Sequence, residues 1–281
     1  MESVDRERIR AYEEDREDER EDALAVEEPL LVRIRRAGET GARMFATTMR
    51  TPGHDEELAA GLLHGEGVIE RREDLLSVAR PEEPGLSAEK KENAVVATLS
   101  ADAFERARKL GRETVTSSAC GICGSLSIEE AISRRRLPIA SPLTVTRERL
   151  YELPGRLRES QSVFAATGGL HAAALFSGDG IPGAVREDIG RHNATDKVIG
   201  AALFEGELPL SRRILLVSGR AGFEIVQKAH AAGIPIVASV SAPSSLAVAL
   251  ADSAGMTLIG FLRGRRFNVY AHPERVRAAA G

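Results

Sequence analysis

Cys120 and Cys123 are the only cysteines among 281 residues, three apart in Ser117-Ser118-Ala119-Cys120-Gly121-Ile122-Cys123-Gly124. Thiols used nowhere else and set together between glycines point to sulfur chemistry rather than core packing. The glycines carry no Cβ, so the backbone can turn tightly and let another molecule reach the sulfurs. Downstream, Ser127-Ile128-Glu129-Glu130 has the spacing of a capping box. It predicts a helix running towards Arg134, Arg135 and Arg136 and ending at Pro138. The cysteines then precede a helix N-terminus, whose partial positive charge favours thiolate over thiol.

Four chemistries compete for such a pair. A structural zinc site needs four ligands, so histidines or a second copy of the chain would have to complete the one Cys-x-x-Cys. A thioredoxin-like redox motif usually stands near the start of a short domain, whereas this pair falls near residue 120. A zinc deaminase needs His-x-Glu upstream and Pro-Cys-x-x-Cys downstream. Here Ala119 precedes the first cysteine, His171 follows the pair, and residue 173 is Ala, so the deaminase chemistry is absent. Sulfur relay through a persulfide is the fourth, and the rest of the chain favours it.

The chain is long enough for two domains with proper cores. A net charge of −4 gives no reason to expect nucleic acid or an anionic membrane as the main partner. No stretch is long and apolar enough to span a bilayer, and no apolar segment of signal type opens the chain. Two close cysteines suit a reducing cytoplasm, which is the expected location.

Residues 1–24 are nearly all charged, as in Glu13-Glu14-Asp15-Arg16-Glu17-Asp18-Glu19-Arg20. They read as a disordered, solvated tail or a short exposed helix held by i,i+4 pairs. Residues 25–112 read as a small α+β domain. Val32 and Ile34 alternate with arginines, a second strand spans 44–49, and Thr51-Pro52-Gly53 turns into a helix with Leu58, Leu62 and Leu63 inward. A further strand covers 94–99. Residues 113–127 form the cysteine loop, whose small residues permit mobility. Residues 128–281 read as a larger α/β domain with a mixed, largely parallel sheet. Its strands are expected at 171–176, 213–217, 234–240, 256–261 and 267–270, with helices through 198–204, 222–232 and 244–253.

In open α/β sheets, ligands gather at the carboxyl ends of the strands. Ser218-Gly219-Arg220-Ala221-Gly222 occupies that place after one strand and resembles a phosphate cradle. A plain strand-to-helix turn has the same composition. Ser239-Val240-Ser241-Ala242-Pro243-Ser244-Ser245 fills the equivalent place after the next strand. Arg263, Arg265 and Arg266 make a cationic turn between the last two strands, and arginine forks match phosphate oxygens and stack on bases. Arg186-Glu187-Asp188 and Arg191-His192-Asn193 form another polar cluster, in which Asp188 or Asn193 is suited to capping the next helix. His171 follows Thr167-Gly168-Gly169 and can face either a ligand or the core. His54, His64, His230 and His272 show no metal-like grouping.

Six segments occur together in one order: Thr48-Met49-Arg50-Thr51-Pro52-Gly53, Cys120-Gly121-Ile122-Cys123-Gly124, Thr167-Gly168-Gly169-Leu170-His171, Glu187-Asp188-Ile189-Gly190-Arg191-His192-Asn193, Ser218-Gly219-Arg220 and Gly260-Phe261-Leu262-Arg263. On these the chain closely resembles the formate dehydrogenase accessory sulfurtransferases of the FdhD type, over residues 26–276. The resemblance implies a cytidine-deaminase-like fold for the larger domain, without the zinc ligands. It implies that a cysteine desulfurase passes sulfane sulfur to Cys120 as a persulfide. The sulfur then goes to a bound substrate, the bis(molybdopterin guanine dinucleotide) molybdenum cofactor, destined for a formate dehydrogenase. The stretch Phe261, Leu262, Arg263, Gly264, Arg265, Arg266 is implied to bind that cofactor. Ser218, Gly219, Arg220 and His192 complete the expected set. Cys123 either attacks the persulfide, expelling sulfide and closing a disulfide, or only tunes Cys120. A homodimer is also implied, with no intrinsic metal. The competing readings are a non-catalytic cofactor chaperone with a structural Cys-x-x-Cys, and a thiol oxidoreductase.

Overall fold

A computed structural model of the chain describes residues 2–83, 85–110, 114–115 and 138–278. Cys120, Cys123 and the helix expected from Ser127 lie outside the described residues.

The charged N-terminal segment is neither tail nor helix. β1 (Val4–Glu13) and β2 (Arg16–Ala25) form an antiparallel hairpin turning at Glu14, whose φ is 53°. The alternating charges that suggested helical pairs instead meet across the strands. Arg8 stands opposite Glu21, Arg10 opposite Glu19 and Glu13 opposite Arg16, and Arg10 lies 3.2 Å from both Glu17 and Glu19. Opposite charges at such positions contribute roughly 0.2–1 kcal/mol each. Ser3 Oγ donates to Pro52 O and Val26 N to Ser3 O, rooting the ribbon on the body.

The N-terminal sheet contains β3 (Glu28–Arg36), β4 (Arg43–Arg50), β5 (Leu75–Ala79), β6 (Ala94–Leu99) and β7 (Thr114–Val115), in the order β5-β6-β3-β4-β7. Leu30, Val32 and Ile34 alternate inward along β3, the period of a half-buried strand. They pack with Leu58 and Leu63 of α1 (Asp55–Gly65) and Ala103 of α3 (Ala101–Lys109). A short α2 (Ala88–Glu92) precedes β6. Arg50, fully buried, holds the start of α1: its Nε and Nη2 donate to Asp55 at 2.9 and 3.1 Å, and Nη2 also reaches Asn93.

β8 (Val145–Thr146) leads into α4 (Arg147–Glu159) and α5 (Ser162–Thr167). Then come β9 (His171–Ser177), β10 (Pro182–Asp188), α6 (Arg191–Phe204), β11 (Arg213–Val217), α7 (Phe223–Ala231), β12 (Ile236–Ser239), α8 (Ser245–Ser253), β13 (Thr257–Arg263) and β14 (Arg266–Ala271). β15 (Val276–Arg277) returns to pair with β8. The large sheet runs β10-β9-β11-β12-β13-β14. It is mixed rather than largely parallel: only β11–β12 and β12–β13 are parallel pairs. The tight connections β9–β10 and β13–β14 are hairpins, which can make only antiparallel neighbours. One core joins this sheet to α6, α7 and α8, and another joins its opposite face to Leu150, Leu153 and Leu157 of α4.

The two sheets are joined where α1 crosses α6. A Cβ on Gly61 would sit 1.9 Å from Asp196 O, and one on Gly200 would sit 1.9 Å from Glu57 O. Only hydrogen at these positions lets the two backbones touch. Arg186 of β10 clamps Glu57 of α1 through both carboxylate oxygens, and Lys228 of α7 meets both oxygens of buried Asp196 at 2.7 and 2.9 Å.

Candidate anion-binding edge

The carboxyl ends of β10, β11, β12 and β13 and the start of β9 share one edge of the large sheet. His171 opens β9 opposite Asp188, the last residue of β10. Ser218 follows β11 and is tied to β9: its N–H donates to Ala172 O, and its Oγ accepts from Ala172 N, both at 2.9 Å. Gly219 lets the His171 ring lie against the loop, since a Cβ there would come within 3.2 Å of His171 Nδ1. Arg220 is exposed. The next loop is stitched to this one by an Ala221–Pro243 bridge and by Ser244 N donating to Ala221 O. Phe261 N in turn donates to Ser241 O.

Two helices begin at this edge behind glycine N-caps without a side-chain cap, α6 at Gly190 and α7 at Gly222. Their leading N–H groups carry the partial positive charge that suits an anion. His192 bridges the two first turns, its Nε2 lying 3.3 Å from Glu224 Oε2. Arg191 lies beside His171 and Gly219, and its Nε is buried without a hydrogen-bond partner among the described residues. Burial, and then the Arg191 charge, hold the His171 imidazole below its ordinary value, so it is neutral at pH 7. The nook thus combines a neutral ring, a cation and uncapped helix starts.

A buried lock beneath fixes that geometry. Lys197 Nζ lies 2.7 Å from Asp188 Oδ2 and donates to Thr51 O and Glu187 O. Asp188 Oδ1 accepts from Gly190 N and Asn193 Nδ2. Asn193 also donates to Met49 O and accepts from Thr48 Oγ1. The Thr48–Gly53 and Glu187–Asn193 segments, 140 or so positions apart in sequence, therefore form one structure that sets the start of α6. Glu187 caps the neighbouring α5, accepting from Val163 N and Phe164 N.

The arginine turn divides by side chain. Between Gly260 and Arg263 the β13–β14 register slips by a bulge, and Phe261 takes a φ of 54°, costly for a bulky residue. Leu262 of the expected binding stretch is fully buried in the core, so its side chain packs there rather than at the surface. Arg263 lies over the Phe261 ring at 5.7 Å. Gly264 makes the left-handed turn at φ 57°. Arg265 and Arg266 lean instead towards α4, into a cavity of about 460 Å³ with Arg147, Tyr151 and Phe267. None of Ser218, Gly219, Arg220 or His192 lines that cavity, so the expected set falls in two neighbourhoods. Arg147, Tyr151 and Phe267 had no motif to announce them.

Among the described residues, no group of three or more His, Cys, Asp or Glu could hold a metal, and no helix is long and apolar enough to cross a membrane.

The FdhD/NarQ family model matches residues 25–277. The sulfur carrier protein FdhD of Streptomyces coelicolor is 50% identical over 266 residues, covering 93% of this chain and 92% of that protein. The sulfur carrier protein FdhD of Mycobacterium tuberculosis is 47% identical over 274 residues, covering 96% and 97%. The crystal structure of a candidate formate dehydrogenase accessory protein from Desulfotalea psychrophila matches with a TM-score of 0.71 at 22% identity, across 98% of this chain and 100% of that one. That likeness establishes the fold.

Proposed function

This chain belongs to the FdhD/NarQ family, and from that premise we propose that it is a sulfur carrier in formate dehydrogenase maturation. A cysteine desulfurase persulfide meets the Cys120 thiolate; the sulfane sulfur moves to Cys120, and the desulfurase cysteine leaves as thiolate. Cys120 then delivers that sulfur to the bis(molybdopterin guanine dinucleotide) cofactor, held as substrate, before the cofactor enters the formate dehydrogenase. The sulfur half of the proposal is supported by about 50% identity to proteins named sulfur carriers over nearly the whole chain.

One observation carries the cofactor half. The Arg191 nook, two uncapped helix starts and the Phe261–Arg266 turn stand along one sheet edge. The substrate brings two pyrophosphates and two guanines, which call for helix N-termini, arginines and ring faces together. The parallel trio flanked by antiparallel strands is read as a cytidine-deaminase-like sheet that has lost its zinc. A cytoplasmic location and a homodimer belong to the same reading.

Two measurements test it. After incubation with a desulfurase and cysteine, the intact protein gains the mass of one sulfur atom and Cys120→Ala does not. A gain in Cys120→Ala refutes the carrier assignment. Activation of a molybdenum formate dehydrogenase in a strain lacking this protein requires Cys120. A Cys123→Ala variant that loads but releases no sulfide assigns Cys123 the resolving step; one that loads and releases leaves Cys120 as sole carrier. In the resolving step, the sulfane sulfur gains the two electrons that the cysteine pair loses on closing its disulfide.

A further inference from the structure

Besides the crossing of α1 and α6, the two domains meet at a buried histidine. His64, 1% exposed, stands in the last turn of α1. Its Nδ1 lies 2.8 Å from Ile69 O in the loop that follows. Its Nε2 lies 3.2 Å from the carbonyl of Ala231, the last residue of α7, 167 positions along the chain. Both ring nitrogens therefore point at carbonyl oxygens, which only accept. A neutral imidazole has one N–H, so it bonds one of these carbonyls and turns a lone pair on the other. An imidazolium bonds both. Charged and titratable groups surround the contact on every side. α7 brings Glu224, His230 and Lys228, whose Nζ is 3.0 Å from where a Gly65 side chain would begin. α6 brings Asp196, paired with Lys228, and His192, beside Glu224. Glu66 closes α1, and Arg106 of α3 donates to Val68 O while pairing with Asp74. Burial resists a charged ring. The carbonyl ends of α1 and α7 favour it. Lys228 offsets Asp196 and Arg106 offsets Asp74, which leaves Glu66 and Glu224 to favour a cation as well.

We infer that His64 is a proton-operated clasp between the domains: neutral, it holds one carbonyl; protonated, it ties the end of α1 to the end of α7 through both. The inference stands apart from the sulfur-carrier reading and from the cofactor site. Without the second proton a lone pair faces a buried carbonyl. The clasp therefore contributes fully in acid, and its contribution is lost as the pH rises. α7 starts behind Gly222 on the anion edge, so the clasp fixes the far end of a helix whose first turn serves that edge.

Long-range proton–nitrogen NMR of the full wild-type chain, with His64 assigned through its own backbone, reads the ring directly. Both ring nitrogens carry protons at about pH 5.5 and only one does at about pH 8.5. A ring in the same state at both ends of that range overturns the inference. Denaturant unfolding of the wild type and of His64→Gln over the same range asks whether the proton acts on the joint. Glutamine keeps one donor and one acceptor at every pH. Burial pushes the Asp196 carboxyl up to about 6 against the pull of Lys228, so both proteins gain some stability in acid from that group. The comparison between them isolates His64. The folding constant of the wild type relative to His64→Gln rises about tenfold from the alkaline to the acid end. A ratio constant within about twofold overturns the clasp even where the ring titrates, because the proton then does nothing for the contact.

Discussion

Replacing Lys197 with methionine isolates the lock beneath the edge. Lys197 and Asp188 are 1% and 0% exposed, and the ammonium reaches Asp188 Oδ2 at 2.7 Å, Thr51 O at 3.0 Å and Glu187 O at 3.2 Å. Methionine fills similar space but leaves a buried carboxylate with donors on Oδ1 alone and two carbonyls short of a partner. Removing one member of a buried pair costs about 3–5 kcal/mol. At 2–4 °C per kcal/mol, the melting temperature falls by on the order of 10 °C. Asp188→Asn combined with Lys197→Met removes both charges and keeps an acceptor for Gly190 N and Asn193. Replacing a whole buried pair is often near neutral, so the double variant recovers at least half of the loss. Thermal denaturation followed by circular dichroism measures both. A single variant melting within 2 °C of wild type, or a double variant no more stable than the single, refutes the account of the lock.

Gly61→Ala forces a methyl group against the Asp196 carbonyl, so α1 and α6 must separate. Overpacking of this kind costs about 1–3 kcal/mol, more than the ~1 kcal/mol gained in helix propensity, and a denaturant midpoint above wild type would contradict it. For Glu57, burial pushes the carboxyl up, but Arg186 and His54 outweigh it and hold it at about 2. The Glu57–Arg186 clamp therefore contributes fully above pH 4.5 and is lost as the pH falls from 4.5 to about 2. The loss amounts to up to about 3 kcal/mol. Arg186→Gln flattens the stability profile in that window, and parallel acid limbs for the two proteins would exclude the clamp. Leu262→Ala opens a core cavity at about 2–5 kcal/mol, whereas Arg263→Ala melts within about 0.5 kcal/mol of wild type and binds polyanions more weakly. Equal melting temperatures for the two would undo their assignment to core and edge.

Much of the α/β half was legible because its runs are punctuated. Gly178-Asp179-Gly180 marks the β9–β10 hairpin, and Gly233 with Pro235 closes α7 before β12. α4 escaped notice because Pro154-Gly155 reads as a break, although Leu150, Leu153 and Leu157 keep helical spacing and are buried. The sheet's mixed direction followed from hairpins that could be seen singly but not ordered across the sheet. The N-terminal ribbon was misread for a different reason: charge alternation has no period of its own until a pairing partner is chosen. At the edge, arginines and glycines were visible as types. That Leu262 ends in the core while Phe261, half-buried, takes a φ of 54° where the register slips is a feature of the folded hairpin that residue types do not announce.

The ribbon also polarises the molecule. Residues 4–25 hold ten acidic and five basic side chains, a charge of −5 against −4 for the entire chain. The body from which they project is thus left slightly cationic. The ribbon's root touches the rim, with Ala25 Cβ 3.5 Å from where a Gly169 side chain would begin. Any long-range pull on an incoming polyanion is opposed by this acidic fin in dilute buffer. Added salt, with a screening length near 8 Å at physiological strength, damps that opposition before it reaches the short contacts inside the cleft.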